Sequence, residues 1–277
     1  MASKKPAEKK DIATTGGAAL PVAVEELEAM SGYGFEDADR DAYAIPFIRL
    51  LQTNSPQCNP DEAAYIDGAR AGMFFNTVTG QLYGKEINVI PVHYGRDFVE
   101  WQPNRGGFVA AHGPDPSILD RVVEIDDKNN SILQNGNIIQ DTRNHFVLLA
   151  DAPEAGPIIV SLNSTGIRHS KKWMSLLGNL ILPNSTKKAP MFAGVWKISS
   201  IQNENDEGKW YQIGNKSATC VEFIGWVSKP QLEAAKAARE LIISGTAKAD
   251  WESNVDNAPV DSEPSDQGQT GEGPGPF

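Results

Sequence analysis

Apolar residues fall into short runs broken by turn formers along most of the chain, and into helical spacing in only a few segments. The run AIPFIRLLQ after Tyr43 stops at Asn54, Ser55 and Pro56. GMFFNTVTGQLYGKEINVIPVHYGRDFVEW follows, rich in β-branched and aromatic residues and punctuated by Thr79-Gly80 and Gly84. It predicts two or three strands joined by tight turns. Residues 102–130, with several Gly, Pro and Asp, read as a long irregular excursion. Asn135-Gly136 sits between two apolar pairs and predicts a hairpin with a type I′ turn, whose central residues both need positive φ. Strands are expected at Arg143–Ala150, Pro157–Leu162, Met191–Ile201, Lys209–Ile213 and Thr219–Val227. Over Ser164–Leu180, Ile167, Trp173, Met174, Leu176, Leu177 and Leu180 recur at helical spacing. Ser164 or Thr165 would cap that helix, and Arg168, Lys171 and Lys172 would share its exposed face. A second helix starts at Pro230 and ends at Gly245. A short helix is also expected near Val22–Met30 in an otherwise patternless N-terminal arm. The pattern is therefore mainly β with minor α.

Composition narrows this picture. Of the 277 residues 40% are hydrophobic and 22% charged, enough apolar mass for a packed core. No run of about 18 apolar residues suggests a membrane helix, and MASKKPAEKK lacks the apolar stretch of a secretory signal. The two cysteines, Cys58 and Cys220, form no CxxC and have no nearby His pair. That argues for a reducing cytoplasm and against a zinc site or disulfide framework.

The placement of charge is more informative than the net value of -11. Residues 249–277 hold seven acids and no Lys or Arg, whereas residues 155–203 hold six basic residues and no acid. A stretch of that kind is the footprint of a polyanion-binding surface, with chance clustering on a solvated face as the plain alternative.

Enzyme templates are absent: the chain has no GxxxxGK[ST], GxSxG, HExxH or strand-linked GxGxxG. His93, His112, His145 and His169 have neither His partners at i, i+4 nor a neighbouring Cys. Asp120, Glu124, Asp126 and Asp127 form an acidic group in a turn-rich region, where solvation is commoner than metal binding. The expectation is a non-enzymatic protein without cofactor or metal.

Binding signals are stronger. Single-stranded nucleic acid sites pair a basic groove with aromatic faces on which bases stack. Tyr94, Arg96, Phe98, Trp101 and Arg105 interleave in this manner, as do Arg168, Lys171, Lys172 and Trp173, then Lys187, Lys188, Trp196 and Lys197. Lys209, Trp210, Tyr211 and Lys216 continue the pattern. The competing reading places these aromatics in a β core. Strand alternation puts Tyr94, Arg96 and Phe98 on one face, which suits a stacking platform because a lone buried Arg is costly.

The chain ends GEGPGPF, and its acidic tail with terminal Phe277 resembles those of bacterial and bacteriophage single-stranded DNA-binding proteins. Ser164, Ser170, Lys171, Lys172 and Trp173 occupy an S-x-x-x-x-x-S-[KR]-[KR]-W segment similar to that of bacteriophage replication proteins of this class. With Gly72–Gly84 the likeness spans roughly residues 43–226. It implies an OB-like β-barrel over residues 41–228, a C-terminal helix over 229–245, a flexible arm over 1–40 and a disordered tail over 246–277. It further implies sequence-independent protection of single-stranded DNA in phage replication or recombination, without membrane association. Asp261, Glu263, Asp266, Glu272 and Phe277 would dock replication or recombination proteins; the acids thin out near the end, where only Glu272 follows Asp266. A virion or assembly protein and a strand-annealing recombination protein are the alternatives.

Overall fold

The computed structural model describes residues 22–30, 33–34, 44–103, 106–127, 129–205, 208–245, 248–251 and 254. The short helix α1 (Val24–Ala29) lies where expected. Strands β1 (Ala44–Ile45), β2 (Phe47–Leu50), β3 (Phe74–Asn76) and β4 (Leu82–Gly84) precede the 17-residue β5 (Glu86–Gln102). Next come β6 (Gly107–Ala111), β7 (Val122–Ile125), β8 (Ser131–Leu133), β9 (Ile138–Leu149) and β10 (Ile158–Asn163). Helix α2 (Ile167–Gly178) leads to β11 (Gly194–Ser199), β12 (Ile201–Asn205), β13 (Gly208–Gln212) and β14 (Val221–Trp226). Helix α3 (Lys229–Ile243) and β15 (Lys248–Ala249) complete the described chain.

The protein is mainly β, with one large sheet curled into a half-barrel, consistent with an OB-like barrel. Its strand order is β14-β11-β5-β9-β10-β2-β3-β4, with β6 added to β5 and β8-β7 added to β9. The long antiparallel β5–β9 ladder, from Val89↔Leu149 to Trp101↔Ile138, is the spine. It is interrupted by a bulge between Pro91 and His93, as expected where Pro interrupts ladder hydrogen bonding. Among the described pairings only β2–β10 and β1–β15 are parallel.

Successive residues of a strand face opposite ways, so the sheet has a core on each side. Val89, Val147, Val160, Trp196 and Ile198 form the first, closed by Trp173 and Leu177 of α2. Ile90, Val92 and Leu148 form the second, closed by Ala235 and Ala238 of α3. Helix α3 starts on a capping box: Ser228 and Gln231 bond each other's backbone reciprocally, with Pro230 in the first turn. Among the described residues no helix is long and apolar enough to cross a membrane.

Four local expectations are corrected. The excursion over 102–130 carries β6, a 3-10 turn at Pro116–Arg121 and β7, and its Ile118 packs on Phe98, Leu133 and Ile139. The Asn135-Gly136 hairpin forms, but of these two only Gly136 has positive φ, at 83°. Asn135 instead accepts from the Asn137 amide at 3.0 Å, so the turn is not type I′. Neither Ser164 nor Thr165 caps α2: a 3-10 turn over Ser164–Gly166 precedes it, and Thr165 Oγ1 accepts from Gln212. Finally, packing continues past residue 246. Lys248 and Ala249 pair with β1, and Trp251 lies 9% exposed among Phe47, Trp101 and Phe108. Most of the expected flexible arm and all of the tail beyond Asn254 lie outside the described residues.

Candidate nucleic-acid interface

The β5 stretch is not the stacking platform that its sequence suggests. Arg96 donates to both oxygens of Asp141, through Nε at 3.0 Å and Nη2 at 2.8 Å, and Arg143 donates to the same carboxylate at 2.8 Å. The Arg96 guanidinium carbon sits 4.4 Å from the Phe98 ring centroid, so the ring face is occupied from within the fold. Phe98 and Trp101 are 0% exposed, and Trp101 packs edge-on against Phe108 and Trp251. Tyr94 is half-buried and makes an edge contact with His145. Arg105 lies outside the described residues, as do Asp261, Glu263, Asp266, Glu272 and Phe277.

Two further stackers are corrected in the same way. Trp173 is 0% and Trp196 2% exposed, both in the core under α2. The Trp173 ring stacks on His145 with centroids 4.3 Å apart, and His145 Nε2 lies 2.8 Å from Ser170 Oγ. Complete burial lowers the His145 pKa to about 3, which keeps the ring neutral. The SKKW segment thus divides by helical period: Ser170 and Trp173 point inward, Lys171 and Lys172 outward.

The outward side of α2 is different in kind. Arg168, Lys171 and Lys172 are exposed and lie within five positions on the helix. A loop meets each end of it. At the C-terminal end, the chain returns through Lys187 and Lys188, both exposed, and closes with Ala189 N–H donating to Leu180 O at 2.7 Å. At the N-terminal end, the loop holding exposed Lys216 is fixed by a 3.0 Å hydrogen bond between His169 Nδ1 and Thr219 Oγ1. Burial first, and then the Arg168 charge, lower the His169 pKa. Its Nε2 accordingly accepts from Arg168 Nε at 3.2 Å, leaving Nδ1–H to donate to Thr219.

Among the described residues none of Arg168, Lys171, Lys172, Lys187, Lys188 and Lys216 makes an ion pair. Lys197, expected to join them, instead pairs with Glu222 at 3.0 Å.

Beside the start of α2 lies a cleft of about 420 Å³, walled by β2, β10 and β13. Lys209, Trp210 and Tyr211 of β13 border it, and both rings are half-buried rather than enclosed. Gln52 fixes this wall to the sheet edge by clamping the Tyr211 backbone. Its Oε1 accepts from Tyr211 N at 2.8 Å, and its Nε2 donates to Tyr211 O at 3.1 Å. The Tyr211 ring lies over Gly72, where φ is +87° and a Cβ would come within 2.6 Å of it. Lys85 Nζ is 5.5 Å from that ring's centroid. Arg49, Gln52, Asn163 and Gln212 line the cleft but carried no sequence signal, because their partners are distant in the chain. Among the described residues no group of His, Cys, Asp and Glu could hold a metal ion.

The chain matches the Pam3 phage gp34-like protein family over residues 14–248. The chain belongs to this phage-related family. Neither the curated proteins nor the solved structures gave a match.

Proposed function

We propose that this member of the Pam3 phage gp34-like family binds single-stranded DNA along α2 and in the adjacent cleft. The observation that carries the reading is the row of exposed cations on α2 and its flanking loops, unpaired among the described residues, beside a cleft edged by Trp210 and Tyr211. Arg168, Lys171, Lys172 and Lys216 neutralise phosphates, while the loop lysines 187 and 188 strengthen the field. Trp210 and Tyr211, with Tyr94 further away, replace the buried tryptophans as stacking faces. Each base stacked is worth about 1–3 kcal/mol. Neither element reads base edges, so binding is sequence-independent and protects exposed strands during replication or recombination. The acidic C-terminal segment ending in Phe277 recruits replication or recombination proteins.

The test is fluorescence anisotropy with labelled oligo-dT and a duplex of equal length, across a salt series with and without magnesium. Affinity for the single strand should exceed that for the duplex and fall linearly on a log-log salt plot, by roughly 0.7 per phosphate neutralised. A flat salt response would sink the reading. Equal binding to duplex would favour a packaging or assembly role, and magnesium-dependent loss of the strand would reveal a nuclease.

A further inference from the structure

A second concavity, of about 830 Å³, lies far from this surface in character. It is the seam left where β9 ends at Leu149 and the first residues of β5 face the β3–β4 hairpin. Val78, Ile87, Leu149 and Ile158 give it apolar walls, while exposed Glu86 and Asp151 contribute acid. Lys197, the cation in the lining, is already held by Glu222 at 3.0 Å and by the nearby charge of Glu86, which together raise its pKa. The site repels a nucleic acid and suits a partner that presents an aliphatic side chain beside positive charge.

This chain presents such a group. In the loop after α2, Ile181 is 54% exposed and bridges in register to Lys188, with Lys187 alongside. An isoleucine held open to water beside lysines that make no ion pair among the described residues is an apolar group without a core to enter. No residue of this loop borders the seam of its own chain.

We infer that the Ile181–Lys188 loop of one copy docks into the Glu86–Asp151 seam of the next. Loop and seam are different surfaces, so the contact is heterologous, and repetition gives a ring or an open row of subunits rather than a two-fold dimer. One loop in one cleft buries less than the about 1,200 Å² of stable complexes, so the association is weak and concentration-dependent. In either arrangement Lys187 and Lys188 face the neighbour, while Arg168, Lys171 and Lys172 stay free for phosphates.

The experiment is sedimentation equilibrium of the full chain without DNA, over micromolar to near-millimolar concentration, so its failure leaves the DNA-binding reading standing. The weight-average mass should rise beyond that of a dimer. The loop variant K187E/K188E and the seam variant E86K/D151K should each weaken association at least about tenfold, through like-charge repulsion. Ile181→Glu should do the same by removing the apolar anchor. Mixing the two charge-reversed proteins should restore association, since each loop then meets a seam of opposite sign. Unchanged unfolding transitions would confirm that the variants fold. A monomer at every concentration, a closed dimer indifferent to charge, or a mixture that stays dissociated would each overturn the inference.

Discussion

Tyr94–Trp101 and Arg168–Trp173 carry the same local signature, basic residues interleaved with aromatics, and the fold uses them in opposite ways. On β5 the basic residue is neutralised: Arg96 shares Asp141 with Arg143 and lies on Phe98. On α2 the cations remain in solvent while the aromatic is buried. The difference comes from period and neighbours. A residue on a central strand has another strand on each side, and β9 brings Asp141 into register with Phe98, two pairs from Arg96↔Arg143. A surface helix has neighbours on one side only, so its Lys residues meet water.

The largest effect that separates the two roles is expected at Trp173. Trp173→Ala should destabilise the fold by about 3–5 kcal/mol in denaturant unfolding, because it empties a fully buried site. Lys171→Ala, two positions away and exposed, should stay within about 0.5 kcal/mol of the parent. If Trp173→Ala keeps its stability but loses DNA affinity, the division between core and interface is wrong.

The same buried stack sets a pH dependence. His145 is neutral in the folded protein, with its pKa lowered to about 3, whereas in the unfolded chain it titrates near 6.5. Its contribution is therefore complete above pH 6.5 and is lost as pH falls towards 3, at about 1.4 kcal/mol per unit. His93 and His169 are lowered too and act with the same sign. Raised Asp97 acts oppositely, within the carboxylate range. Unfolding free energies between pH 7 and 5 should decline, and His145→Gln should flatten that slope; an unchanged slope would relocate the titrating group.

Reversing Lys171 and Lys172 to Glu should weaken binding to all single strands alike by at least about tenfold. It should also reduce the salt slope by about 0.7 for each phosphate no longer neutralised. Stability should not change. A smaller effect on function belongs to Arg96→Ala. It removes a partly exposed ion pair while Arg143 still holds Asp141, so about 1 kcal/mol of stability should disappear. Oligo-dT affinity should be unaltered, and a drop comparable to that of the lysine reversals would return β5 to the interface.

Much of the fold was legible because its signals are local. The turn at Thr79-Gly80, the Pro230 helix start and the apolar spacing of α2 all lie within a few residues of what they control. The region over 102–130 was misread because Gly, Pro and Asp mask short strands whose stability comes from Phe98 and Ile139. At the interface, the cations of α2 were found from sequence, whereas Gln52, Arg49 and Gln212 were not. Gln52 meets Tyr211 across 159 positions, and a neutral amide has no periodicity to betray it.

Residue spacing alone settles the mainly β order of elements and the outward face of α2, and the acid-free stretch is plain from charges that stay in water. Which aromatics are available is a matter of tertiary packing. A tryptophan ring is stabilised in a core as well as against a stacked base, and its neighbours in sequence do not say which it meets. The partners of Trp101, Trp173 and Trp196 come from strands and helices far along the chain. Packing against them closes four candidate platforms, counting Phe98, while Trp210 and Tyr211 stay open at the cleft.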